Sequence, residues 1–302
     1  MKILSDIVKI LVLSIVLAGG LVASRIFLLK LDVFIPRLPQ QADENTAIYY
    51  LLIGSLILAI GWFYLIKGIG GSKKERMLIS SLFLLIGFSI GVTIESAIYS
   101  DVGSYHLTII LLILPIILYA IISTIITDTK KPLQTFAQRL LSYFKTWSKK
   151  VWLKKILLAI ISFPVIYFIF GIIASPFVTN YYSKLVGGLQ LPDAGTITGI
   201  QLIRSTLFLA ITIPVIINWT STKTQLIISL SMAHFVMVFA YDIYLAIVMP
   251  FELVIIHGIE IAADSFVYSW ILIKILYPNN KTDTKNFKKS ETPTSIGMSG
   301  MR

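Results

Sequence analysis

Seven ionisable residues lie within otherwise apolar stretches of this chain: Glu95, Arg204, His234, Asp242, His257, Glu260 and Asp264. Their types and spacing define the chemistry open to them. Glu260 and Asp264 are four apart, so on a helix they stack on one side, with His257 one turn above and Tyr268 continuing the stripe. Two like carboxylates one turn apart resist ionising together in a low dielectric, which makes them candidates for holding a proton. A single arginine among several acids predicts an ion pair between Arg204 and at least one of Glu260, Asp264 or Asp242. The same arginine is a candidate contact for a polar or anionic ligand. Gln201 and Phe208 share its helical face.

Other chemical motifs are missing or misplaced. The chain has no cysteine, so disulfides, thiolate nucleophiles and thiolate metal sites are excluded. His106, His234 and His257 follow no metal-ligand spacing. Gly87-Phe88-Ser89-Ile90-Gly91 fits the Gly-x-Ser-x-Gly pattern, but it sits inside an apolar span, where a strand-turn-helix elbow is not expected. Tyr241-Asp242 followed by Asp264 resembles the paired aspartates of presenilin-like intramembrane proteases, which implies aspartyl hydrolysis as an alternative. The resemblance covers two spans: Asp264 follows Ile261-Ala262-Ala263 in place of Gly-x-Gly, and a Pro-Ala-Leu element is missing. The Glu-Glu-x-x-x-Arg pattern of prenyl-protease-like enzymes is absent, as are Walker and dinucleotide motifs. No catalytic set, cofactor or metal is expected.

The elements that must carry these residues follow from composition. The 302 residues are 56% hydrophobic and 14% charged, against about 25% charged in a soluble domain. Apolar runs reach the length of roughly 20 residues that crosses a bilayer core of about 30 Å. They do not alternate as barrel strands do. The expected fold is an all-α polytopic integral membrane helix bundle of about eight transmembrane helices. The spans are predicted at Ile7–Leu29, Ala47–Ile69, Met77–Ile98, Leu107–Ile126, Ile156–Val178, Gly199–Trp219, Gln225–Val248 and Leu253–Leu276.

The net charge of +11 sets the orientation. With both ends cytoplasmic, the inner connections hold Lys73, Lys74, Arg76, Lys223 and the basic segment Asp128–Lys155, whereas the outer ones hold only Lys30, Arg37 and Lys184. All seven ionisable residues but Asp264 and the deeper His234 then fall in the outer half of the bilayer. The same start of the chain, basic and then apolar with small residues Gly19, Gly20, Ala23 and Ser24, also suits a cleaved signal peptide. The apolar stretch runs on to Leu29, which favours a retained span.

The chain divides into spans one to four over 1–127, a basic segment over 128–155, spans five to eight over 156–277, and a disordered cytoplasmic tail over 278–302. In the basic segment Phe136, Leu140, Phe144, Trp147 and Val151 recur at helical spacing among lysines, predicting one amphipathic helix on anionic inner-leaflet lipid. A protein partner at this segment is the sharper reading; nucleic acid is not expected as a partner.

Gly54, Gly61 and Gly68 stripe the second span, and Pro115, Pro164 and Pro214 are expected to kink the fourth, fifth and sixth. Pro176–Thr198 reads as an interfacial loop with Phe177, Tyr181 and Tyr182 in an aromatic belt. Glu95–Ser100 loosely echoes Asp264–Ser269, but one short echo establishes no repeat. The function expected is transport or binding of an unknown small molecule, at an outward-facing polar site in the C-terminal half, in the cell membrane. A non-catalytic accessory subunit is the alternative from another class.

Overall fold

The computed structural model describes residues 2–30, 44–99, 105–128, 133–184, 189–247 and 249–278. Every regular element among them is a helix. They are α1 (Lys2–Lys30), α2 (Glu44–Gly68), α3 (Lys73–Leu84), a π-helical turn (Leu85–Ile90), α4 (Gly91–Tyr99), α5 (Tyr105–Ile126), α6 (Phe136–Phe144), α7 (Lys149–Ser183), α8 (Ala194–Ile217), α9 (Lys223–Leu245) and α10 (Phe251–Leu276). Six are long and apolar enough to cross a membrane: α1, α2, the continuous α3–α4 rod, α7, α8 and α9. In α5 the apolar stretch described is Leu111–Ile126. The 26 residues of α10 are interrupted by Glu252, Glu260, Asp264 and Lys274. These lengths and compositions are those of a helical membrane bundle.

Two segments differ from the sequence expectation. The basic segment is not one amphipathic helix. α6 stops at Phe144, Ser148 is extended, and α7 begins at Lys149. The indole of Trp152 donates to the Phe144 carbonyl at 2.9 Å and so satisfies the end of α6. Trp147 and Val151 therefore do not continue the face of α6. Arg139, a basic residue of the same segment, is buried. It donates to Asn218 Oδ1 at 2.5 Å and pairs with Glu75 at 3.3 Å, pinning α6 to α3 and to the end of α8. The segment after Pro176 is helical as far as Ser183, because nothing between Pro176 and Ser183 breaks α7 once the proline ring is accommodated on its surface. Residues 185–188, in the middle of the anticipated loop, lie outside the described residues, as do the tail from 279 onward and the side chain of His106.

Arg76, at the start of α3, donates to the Thr127 carbonyl at 2.8 Å and to the Ile66 carbonyl at 3.3 Å. A buried cation thus meets the carbonyl ends of α5 and α2, where the helix dipoles favour it.

The backbone also carries an internal repeat that the residue types conceal. Ile69 pairs with Trp219 in an antiparallel bridge. Gly70 donates to the Asn218 carbonyl at 2.7 Å, and Thr220 donates to the Gly68 carbonyl at 3.0 Å. One bond in each direction is the signature of a local two-fold axis. The turns on either side of that axis match position for position. Ser72 and Thr222 both cap the next helix, with Glu75 and Gln225 closing capping boxes. Each pair is 150 positions apart, as are the starts of α2 and α8, the starts of α3 and α9, and the ends of α5 and α10.

Packing repeats with the same offset. α1 lies on α2 and α5 as α7 lies on α8 and α10, and α3 lies on α5 as α9 lies on α10. α2 crosses to α9, and α8 crosses to α3 and the π turn. The glycine stripe serves the first of these crossings at Gly54, which meets Tyr244, and at Gly61, which meets Val236, while Gly68 meets Trp219 in the turn before α9. The short echo between Glu95 and Asp264 belongs to a different register and is not part of this repeat.

Candidate functional site

Four helices of the second half, α7, α8, α9 and α10, and α4 of the first supply the site. Two local irregularities prepare it. The π turn adds a residue to the α3–α4 rod, rotating α4 about the rod axis by about 100°. Gly87 within that turn leaves room for the thioether of Met237, whose Cε lies 2.7 Å from where a Cβ would stand. The anticipated Gly-x-Ser-x-Gly stretch is this π turn, with Ser89 buried. It is not a nucleophile elbow.

Pro164 is the second irregularity. It has no amide hydrogen for the carbonyl one turn back, at Ile160. The Ser205 hydroxyl of α8 donates to that carbonyl at 2.8 Å. Tyr268 of α10 lies 3.2 Å from the same hydroxyl. The bonds around Pro164 thus join α7, α8 and α10 below the site.

Above this knot lie two adjoining chambers. The outer, about 730 Å³ of empty space counted together with open solvent, is lined in part by Tyr99, Tyr182, Leu189 and Met249, at the end of the bundle opposite α6. The inner, about 450 Å³ on the same measure, reaches Arg204, His234, Asp264 and Tyr268. Glu95, Tyr167, His257 and Glu260 line both. Asp242 lines the outer chamber. All seven ionisable residues singled out from the sequence therefore border this one double cavity.

Their pairing differs from the expectation. Arg204 does not pair with Glu260, Asp264 or Asp242; its Nη2 meets Glu95 Oε2 at 3.4 Å and its Nη1 meets Gln201 Oε1 at 3.4 Å. The reason is placement: the π turn directs α4 so that Glu95 faces α8, while Asp242 on α9 is engaged by His257 on α10 at 3.1 Å. The guanidinium also lies 5.7 Å from the ring centroids of Phe163 and Phe208, a cation–π arrangement. Arg204 is only 5% exposed. Glu260 and Asp264 form no ion pair among the described residues.

His234 stacks on Phe83 with centroids 5.8 Å apart, and its Nδ1 lies 3.1 Å from Ser269 Oγ. Its Nε2, Asp264 Oδ1 and Gln201 Nε2 are buried and make no hydrogen bond among the described residues. Groups of this kind each cost about 1–3 kcal/mol when they stay unsatisfied.

Residue-type reasoning passed over the tyrosines. Tyr99, Tyr167, Tyr182 and Tyr241 all line the outer chamber. Tyr99 and Tyr167 share a hydrogen bond of 2.7 Å, and Tyr241 lies 2.9 Å from Ser96 Oγ. The available signals were the four-residue step from Glu95 to Tyr99 and the adjacency of Tyr241 to Asp242. Tyr182, expected in an interfacial belt, faces the chamber instead. Leu189 joins the chamber because Gln190 donates to the Tyr99 carbonyl at 2.9 Å. At the mouth end, the Thr196 hydroxyl and amide hold the Asp193 carboxylate, which caps α8, below its ordinary range. At the other end, burial pushes the Tyr143 phenol up while it donates to the Leu276 carbonyl at 2.8 Å.

The repeat supplies an internal control. At the positions 150 earlier, in the first half, Arg204 is replaced by Gly54, His234 by Leu84, and Asp264 and Tyr268 by the exposed Leu114 and Leu118. At Gly54 the space is taken by the Tyr244 ring. The first half thus repeats the order of helices without these charges. Among the described residues, no three carboxylate or imidazole groups converge on one metal position. No family model, curated protein or solved structure matches the chain.

Proposed function

We propose that the chain crosses the cell membrane eight times with both ends cytoplasmic, and that it binds a small polar solute in the double cavity and moves it across the bilayer. The observation that carries this reading is the shared lining. Glu260 borders both chambers, so a solute or proton in one is in reach of the other. Ionisable groups inside a membrane mark solute and proton paths more often than they mark packing alone. Arg204 is already engaged by Glu95 and Gln201, which argues against its serving as a free anion receptor. Asp242 borders the outer chamber and Asp264 the inner, an arrangement that does not favour an aspartyl dyad sharing one proton.

Eight crossings require α5 and α10 to cross with the six longer helices. The matched order of four helices in each half supports that count. Exposed Lys73, Lys74, Lys145, Lys149, Lys150 and Lys154 at the α6 end support its cytoplasmic placement. There, exposed Leu141, Phe144, Val151 and Leu153 beside those lysines fit anionic inner-leaflet lipid.

The absence of cysteine permits a direct test. Single cysteines at Glu260, Asp264 and Arg204 are exposed in intact cells to a membrane-impermeant maleimide. Labelling at 260 and 264 from outside is expected. If neither labels in well-expressed protein, the cavity is closed to water and the transport reading fails.

A second reading rests on the ion pairs themselves. Arg204–Glu95 and His257–Asp242 each join two helices, which suits an accessory subunit held rigid by them. In that case the α6 region would dock a protein partner, and replacing Phe144 and Val151 by serine would release it.

A further inference from the structure

The chemistry of the double cavity points to the kind of solute it takes, an inference that rests on the binding reading above. We propose that the outer chamber receives a small organic cation, a protonated amine or a quaternary ammonium, with Asp264 as a second, deeper anionic station.

Charge is the first reason. Four carboxylates border the cavity. Glu95 is matched by Arg204 and Asp242 by His257. Glu260 and Asp264 have no such partner among the described residues, and Asp264, 6% exposed, keeps Oδ1 without a hydrogen bond. An unmatched buried carboxylate is costly unless a cation or a proton answers it. An anion entering here would meet this excess of acid, and the guanidinium it would need is already engaged.

The walls are the second reason. Tyr99, Tyr167, Tyr182 and Tyr241 line the same space as Glu260. Aromatic faces beside carboxylates recognise alkylated ammonium ions through cation–π attraction. A bare metal ion needs several hard oxygen ligands at one point, and the carboxylates here are strung along the cavity instead. A chain of anionic positions suits an extended or bulky cation better than a point charge.

The test uses the purified full-length protein in detergent. Tetramethylammonium, 1,4-diaminobutane, sodium and acetate are titrated at matched ionic strength, with binding read by calorimetry and by the midpoint of thermal unfolding. Saturable binding of the two ammonium probes, without saturable binding of sodium or acetate, is the expected result. Glu260→Gln should weaken both ammonium probes at least tenfold. Glu252→Gln, outside the cavity, should leave them unchanged. Tyr182→Leu keeps every carboxylate and should weaken tetramethylammonium more than 1,4-diaminobutane, so the proposal does not depend on one variant folding. Saturable acetate binding in place of ammonium would overturn the cation assignment and leave the binding reading standing. No saturable response to either ammonium probe would overturn the cation assignment as well; if position 260 also resists external maleimide, the binding reading falls with it.

Discussion

The hydroxyl of Ser205 donates at 2.8 Å to the carbonyl of Ile160, the one that Pro164 leaves without an amide partner. The missing hydrogen bond of α7 is thereby supplied by a side chain of α8, 45 residues away in sequence, and Tyr268 of α10 joins the same hydroxyl. Ser205→Ala strands that carbonyl in a buried setting. A loss of about 1–3 kcal/mol is expected, read as a lower unfolding midpoint in detergent, with Tyr268→Phe costing less. An unchanged midpoint for Ser205→Ala would mean that the carbonyl finds another donor.

Arg204 and Glu95 should behave as a coupled pair. Removing one partner leaves the other charged and buried, so Arg204→Met alone is expected to cost about 3–5 kcal/mol. The double variant with Glu95→Gln should recover much of that loss. A double-mutant cycle on thermal or denaturant unfolding measures the coupling; simple additivity would show that the 3.4 Å contact does not persist in the protein.

Close packing of α2 on α9 depends on missing side chains. A Cβ at Gly61 would stand 2.6 Å from Val236 Cγ2, and one at Gly54 would stand 2.8 Å from the Ala240 carbonyl oxygen. Gly61→Ala should destabilise the bundle by about 1–3 kcal/mol through overpacking. Reducing the facing residue in the pair Gly61→Ala with Val236→Ala should restore part of it, as detergent melting curves would record.

Arg139 holds α6 in place through Asn218 and Glu75. Arg139→Gln is expected to loosen α6, seen as faster protease cleavage between α5 and α7, while the melting of the remaining bundle shifts little. Lys145→Gln, at an exposed position nearby, serves as the comparison and should leave cleavage unchanged.

Much of this architecture was open to inspection in the residue types. Long apolar runs announced the membrane helices, because a bilayer makes length and apolarity nearly sufficient for a helix. The seven ionisable residues stood out for the same reason: each is expensive among lipid-facing side chains. The partners were harder to read. Glu95 reaches Arg204 only because six residues take a π turn, and Leu85–Ile90 carries no residue type that demands one. Arg139 looked like one more surface cation, since burial at a helix end depends on a carbonyl terminus that comes from another part of the chain. Tyrosine is common in membrane helices, so Tyr167 and Tyr182 carried no warning of a shared cavity.

The seam between the halves is drawn in peptide groups: Gly70 to the Asn218 carbonyl, Thr220 to the Gly68 carbonyl. Such bonds are indifferent to which side chains flank them. Glycine can stand opposite threonine and isoleucine opposite tryptophan while the join remains sound. Spelling is thus free to drift on either side of the seam while the shape is kept, and two halves that share almost no letters can still close as copies of one another.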